Sequence, residues 1–227
     1  YAYLDFMTEW LKRLKAEYPN FSVLGETWLH TEAHTAWFQD DSFDEHKPPT
    51  GLEYLTDFPL YSAINEAFKE QEGWTTGLAR LYYVLARDFL YPSPEKLVIF
   101  ADNHDLTRFI SRQQYDFDRW KMGMAFLMTT RGIPMVYYGT EYLSDGEEHT
   151  GHGQIRKDVP GGWPGDTVSV FTGEGLSAQQ KEAMAYLTEL VRIRKAHPSL
   201  SGGRMTHYVP QDGLYVYFRT LDEEVLM

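Results

Sequence analysis

Glu95-Lys-Leu-Val-Ile-Phe-Ala-Asp-Asn-His-Asp105 runs an apolar strand directly into a polar triplet, Asn103, His104 and Asp105. A buried strand needs only its apolar run, so an amide, an imidazole and a carboxylate at its exit add desolvation cost and no core. Proteins built on parallel strands place working residues at that end. A second strand, Phe21-Ser-Val-Leu-Gly-Glu26, ends the same way and is followed by Thr27 and Trp28. Two strands, expected to be neighbours in one parallel sheet, that deliver acids to one rim fit the paired-carboxylate chemistry of glycoside hydrolysis.

Working outward, Leu4, Met7, Trp10 or Leu11, Leu14 and Tyr18 recur at helical spacing, and Pro19-Asn20 stops them before the strand at 21–26. Residues 52–58 read as a second strand, followed by helices near 60–71 and 76–90. Strands are expected at 96–101 and 132–138, separated by a helix near 117–130; Pro134 lies near the start of the last strand, where proline is tolerated. Loop signals fill 139–175, and a long helix follows at about 177–196, stopped by His197-Pro198. Beyond Gly202-Gly203 the pattern changes to Tyr208-Val209 and Leu214-Phe218 with a turn between, the start of a separate β-domain. Strands alternating with helices imply parallel pairing with right-handed crossovers.

The 227 residues suffice for a substantial core, and 43% hydrophobic with 15% aromatic content excludes a disordered tail. A net charge of −12 argues against nucleic acid and anionic membrane surfaces and favours a neutral partner such as sugar. The chain has no cysteine, which removes disulfides and thiolate metal sites but leaves the compartment open. No apolar run is long enough to span a bilayer. Opening at Tyr1, already within helical periodicity, the chain reads as a piece of a longer protein.

Glu26 is the candidate proton donor to a glycosidic oxygen, a task that needs a carboxyl kept neutral by burial, and Trp28 is placed to help. An ordinary surface glutamate at a strand end is the competing account. Asp105 would stay ionised and favour an oxocarbenium-like transition state, His104 would hydrogen-bond the same sugar ring, and Asn103 would orient them; a strand-to-helix cap would use the same residue types. Trp37, Phe38, Trp74, Tyr138 and Trp163 could stack on glucose rings or simply pack. Arg156 and Asp158 could shape a sugar pocket or form a loop ion pair. His30 and His34 lack the His-Glu-x-x-His order of a zinc helix. The acidic cluster Asp40, Asp41, Asp44 and Glu45 lacks the spacing of a calcium loop. Asn20-Phe-Ser22 matches a glycosylation sequon beside a core strand.

Phe100-Ala-Asp-Asn-His-Asp105 resembles the fourth characteristic region of the α-amylase family of glycoside hydrolases, and Gly25-Glu-Thr-Trp28 resembles its third. Gly132-Ile-Pro-Met-Val-Tyr-Tyr-Gly-Thr-Glu141 is similar to the family's eighth barrel strand. Gln154-Ile-Arg-Lys-Asp-Val-Pro-Gly-Gly-Trp163 resembles the following loop of neopullulanase and cyclomaltodextrinase-like members. The resemblance implies an α/β fold comprising the second half, strands 5–8, of a (β/α)8 TIM barrel over residues 1–200, with a truncated C-terminal β-sandwich at 201–227. It implies Glu26 as general acid/base, Asp105 as transition-state-stabilising carboxylate and His104 as a sugar contact.

The family's nucleophilic Asp lies in a Gly-x-Arg-x-Asp segment and a further site segment reads Asp-x-x-x-Asn-His; neither pattern occurs in this sequence. Both are expected before Tyr1. A retaining mechanism places that nucleophile about 5–5.5 Å from the acid/base, so the chain alone is expected to be inactive. The expected partner is an α-glucan oligosaccharide or polysaccharide such as starch, maltodextrin, pullulan or cyclodextrin. Alternatives are a transglycosidase of the same family and a non-catalytic glucan-binding accessory protein. No cofactor is expected of this chain, and calcium only of the longer protein. A half-barrel with open edges is expected to self-associate, and a periplasmic or extracellular location is favoured over the cytoplasm.

Overall fold

The computed structural model describes residues 3–40 and 49–227. Four strands form one parallel sheet: β1 (Leu24–Gly25), β2 (Tyr54–Thr56), β3 (Leu97–Phe100) and β4 (Ile133–Met135), in spatial order β1-β2-β3-β4. Leu55 faces Leu97, and Val98 faces Ile133, so the strand exits are level at one rim.

Helix α1 (Leu4–Glu17) precedes β1, and between the strands lie α2 (Glu32–Ala36), α3 (Phe58–Ala67), α4 (Ala79–Leu85), α5 (Phe109–Arg112) and α6 (Phe117–Thr129). The starts of α2, α3 and α6 follow from short polar side chains, Thr31, Asp57 and Asp116, that satisfy free N–H groups. Asp57 accepts from Leu60 N–H to start α3, with Pro59 in the first turn, and Asp116 accepts from Asp118 and Arg119 N–H to start α6. After β4 come α7 (His152–Ile155), α8 (Ala178–Ala196) and α9 (Pro198–Gly202). Ser177 and Gln180 form a reciprocal capping box at the head of α8.

The main core joins Leu60 and Ile64 of α3, Leu81 and Leu85 of α4, Ile99 of β3, Phe109 of α5, Trp120, Met124 and Leu127 of α6, and Leu187 of α8. Gly123 allows α6 to approach α5: a Cβ there would lie 2.3 Å from Phe109 Cζ. The end of α6 is tied to α8 by Arg194, which donates to the carbonyls of Met128, Thr130 and Gly132.

The first strand is far shorter than the expected 21–26. Phe21 N–H turns back to Tyr18 O, and β2 pairs only with Leu24 and Gly25, so the ladder has no partner for the earlier residues. The fourth strand likewise stops at Met135 instead of 138, where the chain bends toward left-handed Gly139.

The final sheet is antiparallel, with order β5 (Arg204–His207), β6 (Tyr217–Leu221) and β7 (Glu224–Leu226). These positions correct the expected strands at 208–209 and 214–218. Tyr208-Val209 lies beyond β5 in a hairpin tip closed by Asp212-Gly213, whose left-handed φ values of 53° and 74° suit a primed two-residue turn. The sheet packs on the main body through Tyr217, whose hydroxyl is 2.5 Å from Thr129 Oγ1, and Arg219, which donates to the Thr129 carbonyl.

Candidate active site

Glu26 leaves β1 directly, and its position is set by the next residue. Thr27 is buried: its N–H donates to Thr56 Oγ1 at 2.9 Å and to Gly25 O at 3.0 Å, and its hydroxyl donates to Thr56 O at 3.0 Å. The end of β1 is therefore latched to the end of β2. From β3, the chain passes through buried Asp102 and Asn103 to half-exposed His104 and Asp105. Asn103 Oδ1 accepts from Asp105 N–H at 2.8 Å, a local turn that aims the triplet.

One carboxylate oxygen of Glu26, one imidazole nitrogen of His104 and one carboxylate oxygen of Asp105 all lie within 4.8 Å of one another. Residues 26 and 105, distant in sequence, thus converge at one rim. They do so from alternate strands, with β2 between β1 and β3, and not from adjacent ones. Alternate strands of such barrels contribute side chains to the same layer.

Asp105 is embedded in cationic and imidazole groups. Arg156 Nη2 is 2.5 Å from Asp105 Oδ1, Arg156 Nε donates to His104 O at 2.7 Å, and His152 Nδ1 is 3.4 Å from the same Asp105 oxygen. His104 Nε2 lies 3.3 Å from Asp105 Oδ2. Arg156 therefore pairs with Asp105 and not with Asp158, which is exposed two residues further on.

Burial of Glu26 beside Trp28 is not found. Glu26 is exposed, and the Trp28 ring stacks on Phe58 at 4.8 Å and 14°. Tyr138 is 39% exposed and its hydroxyl donates to Lys157 O, bracing the loop that carries Arg156 against the exit of β4. Trp163 is 65% exposed in a turn where Asp166 accepts from the N–H groups of Gly161 and Trp163. Among the described residues the close cluster of carboxylate and imidazole groups unites Glu26, His104 and Asp105.

Beneath this cluster is a clamp that the sequence reading did not single out. Asp102 is 1% exposed; one carboxylate oxygen accepts from Thr140 Oγ1 at 2.7 Å and the other from Phe109 N–H at 2.9 Å, with Arg108 Nε 3.4 Å away. Arg108, equally buried, donates to Tyr138 O at 2.6 Å and lies 4.4 Å over the Tyr137 ring. The segment bearing His104 and Asp105 is thereby closed at its base and joined to the exit of β4. Burial pushes the Asp102 carboxyl up, opposed first by Arg108 and then by its hydrogen bonds. The only sequence signal was a second acid, Asp102, inside the motif already quoted.

The remaining candidates have local roles. Asp40 accepts from Thr50 N–H and Oγ1, while Asp41, Asp44 and Glu45 lie outside the described residues. His30 and His34 are exposed on either side of Thr31, and Glu32 between them is buried against Arg87 at 3.0 Å. Asn20, Phe21 and Ser22 are exposed in the turn before β1.

Parallel strands with two carboxylates and a histidine at their exits define part of a (β/α)8-type catalytic barrel. The chain belongs to the α-amylase family: residues 2–161 match the α-amylase catalytic domain, and residues 205–227 match the cyclo-malto-dextrinase C-terminal domain. It is 26% identical over 222 residues to a cyclomaltodextrin glucanotransferase of Niallia circulans, covering 98% of this chain and 27% of that protein. It is 23% identical over 228 residues to a cyclomaltodextrinase of Bacillus sp., covering 98% and 35%. A solved α-amylase of Geobacillus thermoleovorans complexed with acarbose superposes with a TM-score of 0.75 at 26% identity, covering 99% of this chain and 44% of that one. The chain thus spans between 27% and 35% of these two curated relatives. The fold is the second half of the barrel followed by the start of the C-terminal sheet. No helix among the described residues is long and apolar enough to cross a membrane.

Proposed function

We propose that this chain supplies the acid/base side of the catalytic site in a retaining enzyme acting on α-glucosidic bonds. The approach of Glu26, His104 and Asp105 within 4.8 Å carries the reading. Glu26 protonates the departing glycosidic oxygen and later deprotonates the incoming acceptor, Asp105 favours the positively charged sugar at the transition state, and His104 hydrogen-bonds that sugar. The carboxylate nucleophile, which must form and release the glycosyl bond, comes from a polypeptide segment carrying the missing Gly-x-Arg-x-Asp pattern. In this reading the chain alone does not turn over substrate.

The same glycosyl intermediate can pass to water or to a second sugar. Similarity to a cyclomaltodextrin glucanotransferase and to a cyclomaltodextrinase supports both outcomes. The test is reconstitution with a polypeptide carrying the first four barrel strands of an α-amylase-family relative, nucleophile included. Cleavage of maltooligosaccharides should appear only in the mixture and fall about 10²- to 10⁴-fold in Glu26→Gln. Product analysis at high substrate separates hydrolysis from transfer. Cleavage by the chain alone, or an unaffected Glu26→Gln mixture, refutes the proposal.

Self-association is proposed on the same structural grounds. Among the described residues β1 and β4 each pair on one side only, and Phe6, Trp10, Phe21 and Leu24 are exposed near the β1 edge. Such surfaces favour contacts between copies. A monodisperse monomer at high concentration by light scattering would refute this.

A further inference from the structure

Trp74 is 92% exposed, and the loop that presents it is held in place. Glu70 accepts from Gly77 N–H at 3.0 Å and from two nitrogens of Arg80 at 2.5 and 2.7 Å, and Thr76 Oγ1 donates to Gln71 O at 2.9 Å. Gly77 adopts a left-handed φ of 64°. From the far side, Gly213 N–H donates to Glu72 Oε2 at 2.7 Å, fastening the loop to the tip of the C-terminal hairpin. A large indole held in water by this many bonds gains nothing for the core.

Between loop and hairpin runs a groove of about 500 Å³ lined by Glu72, Trp74, Tyr82, Tyr83, Val209 and Pro210. It is remote from Glu26 and Asp105 by topology. α3 starts at the exit of β2 and runs back along the sheet, so the loop after it lies toward the strand entrances. Thr129, immediately before the entrance of β4, is where the C-terminal sheet docks.

We propose that this groove is a second α-glucan-binding site, separate from the catalytic cluster. The indole face and the half-exposed Tyr83 ring suit the apolar C–H faces of pyranose rings, and the Glu72 carboxylate can accept from sugar hydroxyls. The volume falls in the range of about 300–1,000 Å³ of small-molecule sites. A protein partner is a poorer fit: aromatic side chains bury about 150–250 Å² each, so these two rings fall well short of the roughly 800 Å² per partner of a stable interface. The negative carboxylate disfavours a polyanion. The choice of an α-glucan rests on the proposed function above.

The test is native affinity electrophoresis of the full chain in soluble starch, with hydroxyethylcellulose as control. Wild type should be retarded by starch, Trp74→Ala should bind about tenfold more weakly, and Tyr83→Ala should also weaken. An unchanged thermal midpoint in Trp74→Ala shows that the fold survives. Absence of retardation, equal retardation by hydroxyethylcellulose, or unaltered binding in Trp74→Ala overturns this site. Cleavage by the reconstituted enzyme reports separately on the catalytic reading, so either can fail without the other.

Discussion

Arg156 holds Asp105 and the residue before it together: Nη2 is 2.5 Å from the Asp105 carboxylate, and Nε donates at 2.7 Å to the carbonyl of His104. One guanidinium on the loop after β4 thus fixes both side chain and backbone of the triplet at the exit of β3. A planar fork can do this, whereas an ammonium supplies charge without the second bond. The pair is partly exposed, at 42% and 24%, so its energetic worth is discounted to about 1 kcal/mol.

In the reconstituted enzyme, Arg156→Ala should therefore lower kcat about fivefold. Arg156→Lys should fall between the two, because it keeps charge and loses the bridge to the His104 carbonyl. Steady-state kinetics on a maltooligosaccharide measure this, and an Arg156→Ala enzyme with wild-type kcat would remove Arg156 from the positioning of Asp105.

Asp102 and Arg108 lie below that level, each 1% exposed. Asp102→Ala leaves a buried guanidinium without its carboxylate and also strips acceptors from Thr140 and Phe109 N–H. The loss should be about 3–5 kcal/mol. Asp102→Asn should cost less, since an amide oxygen can still accept one of these bonds. Urea unfolding of the two variants checks the order; equal midpoints for Asp102→Ala and wild type would show that the clamp is not a source of stability.

What the sequence disclosed follows from which interactions are local. The helix expected at about 177–196 matches α8, whose stop at His197-Pro198 is written in consecutive residues. The apolar run at 97–100 marks β3 because burial on both faces demands it. The ends of β1 and β4 were not legible, since a strand ends where its neighbour stops pairing. Partner choice was equally hidden: Arg156 is two residues from Asp158 yet bonds to Asp105, 51 positions away. The proximity of Glu26 to Asp105 was foreseen in direction only, because which strands alternate depends on the sheet order.

Gly123 tests close packing at the main core. A methyl group there would lie 2.3 Å from Cζ and 2.8 Å from Cε1 of Phe109, a ring with no exposed surface of its own. Neither the ring nor α6 can yield without disturbing Trp120 and Met124. Gly123→Ala should destabilise by about 1–3 kcal/mol despite its better helix propensity. The paired variant Gly123→Ala/Phe109→Leu should recover part of the loss, and failure to do so would place the strain elsewhere.

His207 gives the stability of the C-terminal sheet a pH dependence. It ends β5 with Nδ1 2.8 Å from the Tyr215 hydroxyl and its ring 5.2 Å from Tyr82. Burial holds its imidazole below the usual value; the Asp88 carboxylate pulls the other way and Arg131 adds to the depression. The neutral ring is thus favoured in the folded state relative to the unfolded value of about 6.5. The sign follows: this contribution is present above about pH 6.5 and is lost as pH falls through the depressed folded value. His207→Gln keeps a polar partner for Tyr215 and cannot gain that proton. Urea midpoints at pH 7.5 and 5.5 should show a larger acid loss for wild type than for His207→Gln, the difference between them cancelling the other seven histidines among the eight of the chain. Identical acid losses in the two proteins would mean that His207 is solvated in both states.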